Sequence, residues 1–398
     1  MNIPNDWKVK RLEKLVQFSS GGTPSKAHKS YWQGDIPWIS ASTMHQQEII
    51  SSDLFISDAG LAAGSKLAKK NDLLLLVRGS MLWKKIPICL CKRDVAFNQD
   101  VKSLSVNKSI QANYLLYWFL ANQRFLLNKV VGTGIGAGKL DFDALKALDI
   151  LLPPLSEQKA IADLLSTWDE AIEKTERWVQ AKEKRFKRLL NNLILLPTMN
   201  GKWQQVLTKS LFKERTESKR GDLPLLSITN GDGVIPRHET NRKDSSNEDK
   251  SKYLRICAGD IGYNTMRMWQ GVSALSTLEG IVSPAYTVCV TGERLHPPFV
   301  AYLFKMPFMI HRFYRYSQGL TSDTWNLKYR NFCEVRMPFP SLDEQKAIAE
   351  TLNAAQKEID LLKQLLEKYK SQKRGLMQKM LTGEWRVKPE IVNQYKEA

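Results

Sequence analysis

Residues 152–165, "LPPLSEQKAIADLL", return as residues 339–352, "FPSLDEQKAIAETL". Residues 157–162 map without a gap onto 344–349, 187 positions later. A run of that length marks an internal duplication, and self-similarity decides the architecture before any local propensity does. The same spacing extends upstream. Pro37 and Ser40 of "IPWIS" fall on Pro224 and Ser227 of "LPLLS", Asp72 lands one residue from Asp260, Gly132 falls on Gly319, and Leu140 on Leu327. The copies are therefore whole domains.

Each repeated motif opens a long helix. Ser156 before Glu157, and Asp343 before Glu344, place a capping side chain and an acidic residue at the positive helix start. Ile161, Leu165, Trp168, Ile172, Thr175, Val179, Lys182, Phe186, Leu189 and Leu193 then follow in alternating steps of four and three. Ile348, Leu352, Ala355, Ile359, Leu362, Leu366, Tyr369, Lys373, Leu376 and Met380 repeat the seam, which predicts a coiled-coil pair. Roughly 40 residues per helix gives about 60 Å of length. The intervening domain, with a radius of gyration near ~14 Å, is too compact to connect a parallel pair, so antiparallel packing is expected. The predicted fold is α+β: two repeated globular domains joined by two long antiparallel coiled-coil helices, with an approximate two-fold axis. The expected boundaries are 1–152 for the first domain, 153–197 for the first helix, 198–339 for the second domain, and 340–398 for the second helix and tail. "NGKWQQV" (200–206) and "TGEWRV" (382–387) leave the two helices in the same idiom, which places Trp385 near Trp7 of the opening "NDWKVKRL".

The 398 residues carry 59 Lys and Arg against 41 Asp and Glu, a formal net charge of +18, which makes nucleic acid the leading partner class. The five cysteines are odd in number and scattered, as expected of reduced thiols in a cytoplasm, and the five histidines show no metal-ligand spacing. The apolar runs "LLLLV" (73–77) and "LILL" (193–196) are too short to span a bilayer, so a soluble cytoplasmic protein is expected.

The segment "VVGTGIGAGKLDFD" (130–143) resembles a phosphate cradle, yet Gly138-Lys139 is followed by Leu140 rather than Ser or Thr. Its counterpart in the second copy keeps only the first glycine and the closing leucine, so 132–139 and 319–326 read as variable recognition loops on a common scaffold. Candidate DNA contacts are Lys26, Trp32, Arg78, Asn98, Gln99 and Lys139 in the first copy, and Arg237, Arg242, Lys243, Arg267, Trp269, Ser322 and Trp325 in the second. Arg can reach guanine O6 and N7, Asn or Gln adenine N6 and N7, and Lys phosphate. Arg78 and Arg267, at comparable points of the copies, are the preferred pair. No methyltransferase, P-loop, nuclease or nucleophile signature is evident, which points to a chain without catalysis of its own.

Two variable domains, each introduced by a tryptophan segment and followed by "EQKAIA", together with "GGTPSK" (21–26), "YWQGDIPWIS" (31–40) and "LTGEWRV", resemble the specificity subunit of type I restriction-modification systems. The resemblance implies two target-recognition domains reading a bipartite site in double-stranded DNA, with the helices setting the spacer. It implies two methyltransferase subunits docked on the helices, for which Glu157, Gln158, Lys159, Glu344, Gln345 and Lys346 are the candidates. S-adenosylmethionine, ATP and Mg²⁺ would then belong to the methyltransferase and restriction partners. The rival expectation is a coiled-coil adaptor that binds protein alone.

Overall fold

The computed structural model describes residues 3–134, 136–240, 249–321 and 324–396. The chain divides into two compact units, Met1–Glu176 with Gln364–Ala398, and Arg177–Lys363. Each unit holds one globular domain and a portion of each long helix, so the division falls within the helices rather than at their ends.

In the first unit the apolar run becomes strand Leu73–Leu76, with all four side chains buried. It lies inside a five-stranded sheet ordered Val16–Ser20, Val101–Val106, Leu73–Leu76, Ile88–Cys91, Glu48–Ile49. A strand covered on both faces can be apolar throughout, which explains why no alternation is visible there. A four-stranded sheet, ordered Phe55–Ile56, Ile36–Ile39, Val95–Phe97, Lys66–Ala68, packs beside it. Helix Ala112–Ala121, with six buried residues, contributes to the core.

The second unit repeats this plan. Strands Phe212–Glu214, Tyr286–Thr291, Ile261–Asn264 and Ser273–Leu275 reproduce the order of the first four strands of the large sheet. The parallel pairing of Trp38 with Ala96 recurs as the parallel bridge of Leu225 with Ile281. Asp72 and Asp260, both buried, each accept a backbone hydrogen bond from the residue three positions earlier, Lys69 and Cys257. The sequence alignment of these aspartates thus corresponds to one turn used twice.

The long helices span Leu155–Leu190 and Leu342–Leu381. They begin two residues before the expected first helical residues, Glu157 and Glu344. Pro154 accepts from the Glu157 and Gln158 amides, while Ser341 caps the second helix by accepting from the Glu344 amide at 3.3 Å. Ser156 and Asp343 therefore stand inside the helices and Ser341 is the cap, a correction that follows from Ser341 being the residue whose hydroxyl faces the open N–H groups. The first helix continues through a π turn at Asn191–Leu195 into Leu196–Met199. Pro197 lacks the N–H that would bond to the Leu193 carbonyl, which accounts for the local widening.

The seam holds. Each of its twenty positions is buried or half-buried. In the first unit Asp169 pairs with Lys373 and Glu176 with Lys370, so one number rises as the other falls and the segments are antiparallel. Trp168 meets Tyr369 edge-on between them. In the second unit Lys182 pairs with Glu358 and Glu183 with Lys363. Four of the basic residues crowding the helices, Lys182, Lys370, Lys373 and Lys379, thus hold carboxylates of this chain rather than simply facing water.

Candidate nucleic-acid interface

The repeated Glu-Gln pair builds the base of each domain. Gln158 is buried; its amide donates to the Ser109 and Pro153 carbonyls and its oxygen accepts from the Gln111 amide. Gln345 does the same with the Arg294 and Pro340 carbonyls and the His296 amide. Each glutamine thereby docks the start of a domain helix onto the start of a long helix. Glu157, only 2% exposed, accepts from the Trp7 indole at 3.2 Å and from two nitrogens of Arg386 at 2.6 and 2.7 Å. Glu344 accepts from the Trp203 indole at 3.1 Å and pairs with Lys202 at 2.7 Å.

These contacts give Glu157, Gln158, Glu344 and Gln345 an internal role, because their polar atoms are occupied within the chain. Lys159 lies over the Tyr395 ring, and Lys346 is exposed. Arg386, rather than the half-exposed Trp385, covers the Trp7 ring. Arg386 also forks onto Asp6, which holds that carboxyl below its ordinary range.

In the first domain the glycine segment is a hairpin, not a strand-to-helix turn: Val130–Thr133 pairs with Ala137–Leu140, and Gly132 stands opposite Gly138. The glycines serve this geometry. Gly136 has φ +81°, and a side chain on Gly138 would lie 2.8 Å from Val130 and 3.1 Å from Leu82. Strand Arg78–Gly79 joins the hairpin as a third strand, with Arg78 directly opposite Lys139. Both are exposed, and neither meets a carboxylate among the described residues. Like charges facing across strands repel, and an anion between them would relieve the repulsion. Trp83 supports the loop by donating to the Gly136 carbonyl at 3.0 Å.

The second domain returns its loop to the scaffold by the same bond. The Leu140 amide donates to Val77, and the Leu327 amide to Thr265. Gln318 opposes Asn326 where Val131 opposes Lys139, so the register persists while the chemistry changes. Trp269 packs edge-on against Trp325, which also meets Tyr314. Arg237 and Arg267 line one cleft with Asn230, Asn264 and Gln270.

The other sequence candidates divide clearly. Lys26 and Trp32 line a common surface hollow, with the Trp32 indole donating to Ser25. Gln99 is exposed and bonded to Thr23. Asn98 is buried and its side chain accepts from the Asp100 amide, so it shapes a turn rather than facing a ligand. Arg242, Lys243 and Ser322 lie outside the described residues. Among the described residues no group of three or more His, Cys, Asp or Glu could hold a metal ion, and no helix is long and apolar enough to cross a membrane.

Residues 4–180 match the model of the type I restriction modification DNA specificity domain. The type I restriction enzyme MjaVIII specificity subunit of Methanocaldococcus jannaschii is 25% identical over 98% of this chain and 95% of its own. The EcoR124I/EcoR124II specificity subunit of Escherichia coli is 28% identical over 48% of each chain. The crystal structure of the type I restriction-modification S subunit from M. genitalium shares the fold with a TM-score of 0.58 at 14% identity, covering 96% of this chain and 98% of that one.

The chain is similar to type I restriction specificity subunits over nearly its whole length. Two features of the structure were missed by residue spacing alone. Trp83 was hidden because its partner, Gly136, is 53 positions away. Lys305 was hidden because a lysine at the end of an apolar helix looks like an ordinary surface cap.

Proposed function

We propose that this chain is a specificity subunit, the DNA-recognition component of a type I restriction-modification complex, and is itself non-catalytic. Each domain reads one part of a bipartite site, and the long helices set the spacer between the parts. The observation that carries this reading is a scaffold repeated with the same sheet order and the same loop-anchoring bond, on which the exposed loop chemistry differs. The first loop presents the Arg78 and Lys139 pair; the second presents Arg267 beside an aromatic ladder. Backbone-positioning cations and base-reading side chains on variable loops are what sequence recognition requires.

Two modification subunits would dock on the helices through Lys346 and the outward helical faces, bringing S-adenosylmethionine and adenine methylation. Restriction subunits would add ATP- and Mg²⁺-dependent translocation and cleavage. The test is a base-resolution adenine-methylation map of cells with and without this gene. A bipartite motif should vanish on deletion, and replacing residues 205–335 with those of a relative should alter one half of it only. An unchanged map in cells with an active modification partner removes the assignment.

A further inference from the structure

Behind the cleft of the second domain lies a lysine that no carboxylate pairs with among the described residues. Lys305 follows helix Pro297–Phe304, and its ammonium donates to the Asn230 side-chain oxygen at 2.9 Å and to the Gly271 carbonyl at 2.8 Å. Those two acceptors sit on different loops. Asn230 belongs to the turn closed by the Thr229 amide on the Gly233 carbonyl, and Gly271 ends the short 3-10 helix Met268–Gln270, for which Arg267 is the N-cap. Gly271 has φ +80°, and a side chain there would lie 2.7 Å from Ile310, so that turn has one backbone course. Burial lowers the Lys305 pKa to about 8.

A desolvated cation without a counter-charge is unfavourable unless its N–H groups are well bonded. Its retention here coincides with a geometric need: both loops line the cleft that contains Arg267. In the first domain a neutral side chain holds one loop, Gln123 exchanging two hydrogen bonds with the backbone of Ile86, just past the 3-10 helix Ser80–Trp83, and bridges no second one among the described residues.

We infer that Lys305 is a positioning residue for sequence selection by the second domain, fixing the distance between the Asn230 turn and the Arg267 turn from behind. This rests on the recognition reading above. A displacement of about 1 Å in either loop is enough to spoil a bidentate contact with a base, so the effect falls on discrimination between sequences rather than on attachment to DNA.

The test uses the complete complex with its modification subunits and reads methylation at cognate sites and at sites differing by one base pair in either half. Lys305→Met should lower discrimination in one half at least tenfold and leave the other half unchanged as the internal control. Lys305→Gln, which keeps N–H donors, should recover part of it. Asn230→Ala should lower discrimination in the same half, and the double variant should be no worse than the more severe single one. Additive effects in that cycle, or undiminished discrimination in Lys305→Met, overturn the inference. If the unaltered complex methylates no bipartite motif, the recognition reading itself fails, which is a separate outcome.

Discussion

The two domains solve one problem in two ways. In the second, the cation and the indole on Glu344 are sequence neighbours, Lys202 and Trp203. In the first, the corresponding groups on Glu157 come from positions far apart in the chain, Trp7 and Arg386. One junction is therefore satisfied by one continuous stretch of chain and the other by two chain segments brought together. A domain repeat that closes on itself in this way needs the chemistry of its joint, not the continuity of the backbone through it.

Replacing both buried glutamines gives the largest effect and tests whether the joints are equivalent. Gln158→Leu and Gln345→Leu each strand one amide N–H and two carbonyls, and each should destabilise its unit by about 3 kcal/mol in urea unfolding. A difference above about 1 kcal/mol between them would break the equivalence. Next comes the contrast at the glutamates. Glu157→Gln leaves the Arg386 guanidinium with Asp6 as its only carboxylate among the described residues and should cost about 2 kcal/mol. Glu344→Gln, where the side chain is 30% exposed and faces a well-solvated lysine, should cost under about 1 kcal/mol. Equal losses would mean that discontinuity carries no energetic consequence.

A smaller effect separates the cleft supports. Lys305 has a folded pKa near 8, below that of the unfolded chain, so between pH 8 and 10 the unfolded state binds more protons. Stability of the unaltered chain relative to Lys305→Met should therefore rise as pH rises through that window. Unfolding titrations at pH 7.5 and 9.5 check this, and Gln123→Met in the first domain should show no such trend. The smallest effect is at the exposed cross-strand cations. Arg78→Ala or Lys139→Ala should change stability by less than about 0.5 kcal/mol, while reducing the salt dependence of DNA binding by about one unit of slope each. A slope that stays put would move the phosphate contact away from this hairpin.

Much of the fold was legible. The duplication, the two helices and their seam could be read because helix packing repeats with a short period, so the positions of Ile161 and Ile348 announce their burial. The matched loops could be read because Gly132 with Leu140 and Gly319 with Leu327 kept their separation. The site was less legible. Arg78 and Lys139 were both singled out, but for separate reasons, and their direct opposition depends on a third strand joining a hairpin 60 residues away. Asn98 proved to be buried and bonded to the Asp100 amide, and a turn-forming asparagine and a base-reading one look alike until burial is known.

The same division explains the motif that opened the reading. Sequence alone determined that "EQKAIA" occurs twice, at the start of two amphipathic helices, as the sign of a duplication. Only the tertiary structure decided that its Glu and Gln face inward to tie each domain to the start of its own long helix, because their partners lie up to 229 residues away. Local spacing encodes which face of a helix is apolar; it does not encode which distant amide, indole or guanidinium will arrive to satisfy a buried polar group.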